Sequence, residues 1–349
     1  MRRALHSFPS KLDEAFESSL RRIDSQSSSR SALAHRVIGW ITNSERRLTT
    51  AELIQGLAVE EGSDEVDEEN LTTIDTILRA CVGLVILNRE DDTVGMVHTT
   101  AYEWFHSRKS GLYHEDLVNT CLLYLTSRPM CANTEEMAKR VQKMLFLLYA
   151  ARYWGRHIRS EDVERKFSGM INRLLEKPKL RSTSFQALHY RNQLKDHTLT
   201  TASFETIPSG HDALNIAAYW SLKLTVAALL RGGINPSTQD SQKWTPLHWA
   251  CFNESSEVVD ILLFGGAGPN VRDSVGWTPI FWATFNGNMT LVQLLLENSS
   301  DHMVRDIHGW SALKWAMARH ETGIAKALLR HHERCLRNLS IQPKVMLKN

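Results

Sequence analysis

Asp212-Ala213-Leu214-Asn215-Ile216-Ala217, Thr245-Pro246-Leu247-His248-Trp249-Ala250, Thr278-Pro279-Ile280-Phe281-Trp282-Ala283 and Ser311-Ala312-Leu313-Lys314-Trp315-Ala316 are four versions of one hexapeptide, set 33 residues apart. The register holds further along each block, where Leu229-Leu230, Leu262-Leu263, Leu295-Leu296 and Leu328-Leu329 again fall 33 apart, as do Asp240, Asp273 and Asp306. An uninterrupted period of this length predicts one helical hairpin stacked on copies of itself, because no single unit can bury its apolar face alone. Thr before Pro suits a helix start: the hydroxyl caps the first turn, and Pro takes a position whose N–H has no helical partner. The Leu-Leu pair falls on the second helix. Asp273-Ser274-Val275-Gly276 and Asp306-Ile307-His308-Gly309 suit a tight turn with Gly at positive φ, and the first block carries Lys243 at that position.

Period and hexapeptide together resemble the ankyrin repeat, with units at 212–244, 245–277, 278–310 and 311–343. The match is close in the second and third units and looser at the ends. Asp-Ala replaces Thr-Pro in the first, and Lys314 replaces His in the last, followed by Arg319, His320 and Glu321, as capping units with a polar outer face require. The resemblance implies a His that bonds back to the turn, and a protein partner held on the concave surface by finger tips and the exposed side of the first helices. The matching positions are Trp244, Trp277 and Trp310 at the fingers, with Tyr219, Trp220, Phe252 and Phe285 on the helices. Trp and Tyr are frequent interface anchors, so this row is the expected protein-binding surface. The competing reading is that the finger tryptophans pack on their neighbours, which is also expected of Trp249, Trp282 and Trp315 inside the motif.

The chain has 349 residues, 42% hydrophobic and 23% charged, which suits two or three globular domains rather than disorder. Met1-Arg2-Arg3-Ala4-Leu5-His6-Ser7 lacks the apolar core of a signal peptide. The apolar run from Met144 to Ala151 is stopped by Arg152, far short of the roughly 20 residues of a membrane helix. The 5 cysteines, Cys81, Cys121, Cys131, Cys251 and Cys335, are scattered, with no C-x-x-C pair, so neither a disulfide framework nor a zinc site is implied. The expected location is the cytoplasm, with the nucleus as the second choice, and no membrane partner. Net charge is only +2, and residues 212–343 carry 11 basic and 11 acidic groups, without the basic excess that nucleic acid demands.

Residues 31–110 read as three helices and a hairpin. Leu33, Val37, Ile38 and Ile41 share one helical face. Leu48-Thr49-Thr50-Ala51-Glu52-Leu53 supplies Thr49 as N-cap, Glu52 as its capping-box partner and Leu48 against Leu53 as a staple. Leu71, Ile74, Ile77, Leu78 and Cys81 follow at helical spacing, and Val82 to Leu87 and Val94 to Val97 flank the turn Arg89-Glu90-Asp91-Asp92. Three helices and a two-stranded wing make a winged helix, which raises DNA binding as the alternative function. Against it stand Glu60, Glu61, Asp64, Glu65, Asp67, Glu68 and Glu69 ahead of a third helix whose one cation is Arg79.

Gly39-Trp40-Ile41-Thr42, Arg46 to Leu53, Leu57-Ala58-Val59, Asp67-Glu68-Glu69-Asn70 and Val97-His98-Thr99-Thr100-Ala101-Tyr102-Glu103-Trp104-Phe105 resemble the winged helix, of the GPI inositol-deacylase-like type, that follows the NACHT ATPase in fungal NLR-type proteins with ankyrin repeats. Pro9, Leu12, Phe16, Leu20 and Ile23 are similar to the helix that joins that ATPase to the winged helix. Arg47 stands where the family usually has Pro. The ATPase core itself is absent, since the chain has no G-x-x-x-x-G-K-[ST] sequence. In related nucleotide-switch proteins a winged-helix His reads bound ADP; His98 matches that position, either as a vestigial nucleotide sensor or as a histidine hydrogen-bonded at a strand end.

The deacylase name imports no reaction: G-x-S-x-G, H-E-x-x-H and a Gly-rich dinucleotide turn are all missing. No catalytic residue, cofactor, metal or small-molecule substrate is expected. His331-His332 are adjacent on a helix and should diverge. The expected division is a linker helix at 1–30, a winged helix at 31–110, a helical connector at 111–178, a loop or degenerate repeat at 179–211, and four ankyrin units. In the connector, Asn133 and Glu136 cap a helix bearing Met137, Val141, Met144, Leu145 and Leu148, and a second helix runs from Glu161 to Glu176. The fold class is therefore mainly α, with a winged helix and small hairpin, a connector and an ankyrin solenoid. The expected function is a non-enzymatic protein-interaction scaffold resembling the regulatory and sensing part of a fungal NLR-like receptor.

Overall fold

The computed structural model describes residues 10–59, 70–109, 114–127, 137–190 and 212–341. Asn133 and Glu136, the acidic loop from Glu60 to Glu69, and Cys131 lie outside them. Two compact units divide the chain, Met1–Thr201 and Ala202–Asn349. The described part is mostly helical, with one small sheet.

The first unit opens with α1 (Ser10–Asp24), whose Phe16, Leu20 and Ile23 are buried. Phe16 meets Trp104 and Phe105 at ring distances of 5.5 and 6.4 Å. Next, α2 (Ser28–Asn43) buries Val37, Ile38, Trp40 and Ile41, and α3 (Thr50–Leu57) sets Gly56 against the Trp40 ring. The predicted capping box is present: Glu52 N–H donates to Thr49 Oγ1 at 3.2 Å, and Thr49 N–H donates to Glu52 Oε2 at 3.0 Å. Arg46 grips the same carboxylate with two nitrogens, at 2.7 and 2.6 Å. After α4 (Ile74–Ala80) come β2 (Val85–Asn88) and β3 (Thr93–Met96), paired antiparallel, and then α5 (Thr99–Lys109).

One strand was not expected. Leu48 and Thr49 form β1, which pairs with Val94 and Thr93, so the sheet has the order β1-β3-β2. The cause is local: an N-cap residue keeps extended backbone, and here that stretch lies beside β3.

Behind the winged helix, α6 (His114–Thr126), α7 (Met137–Lys143), α8 (Leu147–Tyr153), α9 (Glu161–Lys166), α10 (Ser168–Glu176) and α11 (Pro178–His189) enclose Leu117, Cys121, Leu125, Phe146, Tyr149, Ile171 and Leu174. Arg36 Nε and Trp40 Nε1 both donate to Asp116 Oδ2, at 2.7 and 2.6 Å, tying α2 to α6. The single helix expected from Glu161 to Glu176 is broken at Phe167, which ends α9 and begins α10. The stretch expected as loop or degenerate repeat begins with α11, because Pro178 at its start and the buried Leu180, Phe185 and Ala187 supply a helix start and an apolar face.

The second unit is four helical hairpins: α12 (Ala213–Tyr219) with α13 (Lys223–Arg231), α14 (Pro246–Phe252) with α15 (Ser256–Phe264), α16 (Pro279–Phe285) with α17 (Met289–Glu297), and α18 (Ala312–Ala318) with α19 (Thr322–Ile341). First helices pack on first helices and second on second, so Leu214, Leu247, Ile280 and Val226, Val258, Val292 are fully buried along the stack. Between hairpins the chain projects as a finger, and adjacent fingers bond edge to edge: Ser274 N–H donates to Gln242 O at 3.0 Å and Ile307 N–H to Val275 O at 3.1 Å. Gly276 sits at φ +80°, and a Cβ there would lie 3.3 Å from the backbone of the next finger. Lys243, its counterpart in the first finger, is held at φ +60°.

Candidate functional site

Each finger is built around its aspartate. Asp240 Oδ1 accepts the backbone N–H of Gln242 and of Trp244, both at 2.9 Å. Asp273 Oδ1 does the same for Val275 and Trp277 at 3.0 and 2.8 Å, and Asp306 Oδ1 for His308 and Trp310 at 2.9 and 2.8 Å. The second oxygen reaches a tryptophan of the first helix: Trp249 Nε1 donates to Asp240 Oδ2 at 3.0 Å, and Trp315 Nε1 to Asp306 Oδ2 at 3.1 Å. Trp277 Nε1 adds a fourth donor to Asp306, on Oδ2 at 3.3 Å. In the finger between them, Asp273 Oδ2 and Trp282 Nε1 are both buried without reaching hydrogen-bond geometry.

Charge on these aspartates follows. Burial pushes the Asp273 carboxyl up to about 6 and raises Asp240 as well, against the pull of their hydrogen bonds. At Asp306 burial also raises, but the donors on Trp310, Trp315, His308 and Trp277 together outweigh it and hold the group below the ordinary carboxylate value.

His248 links two units. Thr245 N–H donates to its Nδ1 at 3.1 Å, so that nitrogen is bare, and Nε2–H donates to Trp277 O at 3.2 Å. This is the bond back to the turn that the resemblance implied. Burial lowers the imidazole to about 4, so it is neutral. The expected Thr cap fails at Thr278, whose hydroxyl is buried without a partner; Phe281 gives it no ring nitrogen, whereas in the second unit His248 Nδ1 lies 2.8 Å from Thr245 Oγ1.

Above the aspartates the tryptophans form an unbroken ladder. Ring centroids run Tyr219 to Trp249 at 5.4 Å, Trp249 to Trp244 at 4.4 Å and Trp244 to Trp282 at 4.5 Å. They continue from Trp282 to Trp277 at 4.7 Å, Trp277 to Trp315 at 5.2 Å and Trp315 to Trp310 at 5.0 Å. Phe252 lies 5.3 Å from Trp282, and Phe285 5.7 Å from Trp277.

The predicted row is thus brought together but not equally exposed. Trp244 is only 2% exposed and Trp220 9%, so these two pack inside the unit instead of offering free anchors. The reason is position: Trp244, at the end of the first unit, is wedged between Trp249 and Trp282, the tryptophans of the next two units. Tyr219, Phe252, Trp277, Phe285 and Trp310 are half-buried, each with part of its ring in contact and part open. Sequence reading missed the apolar finger tips, Val275 at 41% and Ile307 at 65% exposure, and the cations laid on the aromatic row. Lys314 Nζ sits 4.3 Å above the Trp310 ring and the Arg319 guanidinium 4.3 Å above Phe285. Aligning the units at 33 residues, which puts Arg305 under Arg272, was the available signal.

In the first unit, His98 is exposed, and its Nδ1 accepts Thr100 N–H at 3.2 Å, so it caps α5 at the end of the wing. The third winged-helix helix, α4, carries Asp75 beside Arg79. His331 and His332 do not simply diverge: both rings face His302, at 5.1 and 5.3 Å, and His302 Nε2 lies 3.2 Å from His332 Nδ1. Among the described residues no group of three or more His, Cys, Asp or Glu is arranged to hold a metal ion. Likewise, no helix among them is long and apolar enough to cross a membrane.

Comparison with known proteins places two families on the chain. Residues 166–273 and 253–338 match the family described as ankyrin repeats (3 copies), and residues 22–115 match the GPI inositol-deacylase winged helix domain. Ankyrin repeats and a winged helix of that type are therefore present, and the repeat match starts ahead of the first 33-residue unit, within α9. A curated relative, the "Azaphilone pigments biosynthesis cluster protein L" of Monascus ruber, is 25% identical over 193 residues, which is 49% of this chain. The aligned part spans 40% of that protein's length.

Proposed function

We propose that this chain is a non-enzymatic scaffold whose ankyrin units capture a protein partner on the finger face, and that it corresponds to the regulatory and sensing part of a fungal NLR-like receptor. The observation that carries the capture is the half-open aromatic ladder, rimmed by the exposed Val275 and Ile307, a surface with large rigid anchors already ordered before any partner arrives. The ankyrin and winged-helix matches, in the order in which such receptors carry them, support the receptor reading. That His98 serves as a helix cap supports a winged helix acting without nucleotide here.

The test replaces Val275 and Ile307 by Asp. Both side chains are exposed, so the melting temperature should stay close to wild type, while capture of the partner from cells of the source organism should be lost. Undiminished capture by this variant contradicts the reading, as would turnover of a substrate by the purified chain.

A further inference from the structure

Across the finger face cations and carboxylates are segregated. In the stretches 238–252, 272–285 and 305–318 the acidic residues are Asp240, Asp273 and Asp306, and each is turned onto the N–H groups of its own finger. The cations of the same surface are Lys243, Arg272, Arg305 and Lys314, with Arg319 directly after. All five are exposed, and among the described residues none is paired with a carboxylate. Elsewhere in the unit the pattern differs: Glu257 on α15 pairs with Lys223 on α13 at 2.7 Å, on the second helices.

Four of these cations are already ordered. The Arg272 guanidinium rests on the carbonyls of Gly276 and Arg305, and Arg305 Nη1 donates to Gly309 O at 3.1 Å, the same arrangement in consecutive fingers. Lys314 and Arg319 are laid over Trp310 and Phe285. A guanidinium has five N–H donors, and the bonds to finger carbonyls leave donors free. Held this way, it takes up a carboxylate with little further loss of side-chain freedom. Between the cations stand the apolar tips Val275 and Ile307 and the half-buried aromatic edges.

We propose that the finger face binds an extended acidic peptide segment in which carboxylates alternate with apolar side chains. It would meet Lys243, Arg272, Arg305 and the Lys314–Arg319 pair in successive units, while its apolar residues fill the gaps along the aromatic row. The inference rests on the finger face being the binding surface. A nucleic acid strand fits less well, since residues 212–343 are balanced at 11 basic and 11 acidic groups and the tips between the cations are aliphatic.

The experiment uses the full chain and three labelled probes: a peptide alternating glutamate with leucine and phenylalanine, the same peptide with lysine for glutamate, and a mixed-sequence single-stranded DNA. Saturable binding is expected for the glutamate peptide alone, weakening as salt is added. A chain carrying Arg272→Glu, Arg305→Glu and Arg319→Glu should bind it at least about tenfold less tightly with an unchanged melting curve. If that triple variant unfolds early, Arg319→Glu with Lys314→Glu replaces it. Equal binding by the charge-reversed chain, preference for the lysine peptide, or tighter binding of the DNA overturns the proposal. Capture of the cellular partner separates the two levels. If it is lost with Val275→Asp and Ile307→Asp but survives charge reversal, only the acidic partner falls; if it survives both, the finger-face reading falls too.

Discussion

Lys243 shows what a single residue can cost a repeat. The second and third fingers place Gly276 and Gly309 at φ +80° and +73°, while the first holds a lysine at +60°. Left-handed backbone costs a side-chain-bearing residue about 1–2 kcal/mol, partly offset by the greater freedom a glycine has in the unfolded chain. Lys243→Gly should therefore stabilise the repeats by roughly 0.5–1 kcal/mol, read as a higher denaturant midpoint; a lower midpoint would mean that the lysine stem packs. His248 acts through protons. Its folded value of about 4 lies below the ordinary 6.5, so the folded form resists protonation, and its stability contribution, full above that ordinary value, is lost as pH falls towards 4. Asp273, pushed up to about 6, has the opposite sign, since its folded form binds a proton more readily and gains as pH falls. Comparing the wild type with His248→Gln cancels Asp273: going from about pH 7 to about pH 5, the wild type should lose about 2 kcal/mol that the variant does not. Parallel urea curves for the two chains would refute this. At this scale the sequence was partly legible. Thr49 with Glu52 was readable because a capping box is a four-residue pattern, and the 33-residue register flagged Asp240, Asp273 and Asp306. The tryptophans bonded to Asp240 and Asp306 were not, since nothing local links an aspartate to an indole nine positions on.

Between elements, close approach decides. Glycine inside a helix normally loses about 1 kcal/mol to alanine, yet a Cβ on Gly56 of α3 would come within 2.6 Å of the Trp40 ring on α2. Trp40 cannot yield freely, because it is fully buried, stacked on Phe146 at 5.6 Å and bonded to Asp116. Gly56→Ala should thus destabilise, by about 1–3 kcal/mol, in thermal or chemical melts; a stabilised variant would show that α3 can shift. The elements missed from sequence share a cause. Apolar spacing through 161–176 suits one helix, and only packing reveals the break at Phe167. The strand β1 is two residues long, too short for any periodicity, and exists because β3 lies beside it. The helix Pro178–His189 was hidden by its run Ser182-Thr183-Ser184, although Leu180, Phe185 and Ala187 already marked its buried side.

For the whole molecule, repetition carries both stability and the candidate site. Four hairpins bury a continuous stripe of leucine and valine, and the same period lines up six tryptophans, of which Trp277, Trp310 and Trp315 stay half-open. The architecture of this part was legible because each unit repeats one statement of the same physics. Which rings remain open was not, as exposure depends on neighbours one unit away, and Trp244 is buried while Trp277 is not. The chain also offers a natural control, since Phe264, on a second helix, is 96% exposed. A photo-crosslinking amino acid placed at Ile307, and separately at Phe264, measures directly which face meets a partner in living cells. A protein adduct is expected at Ile307 and none at Phe264; an adduct at Phe264 alone would show that the finger face is not the binding surface.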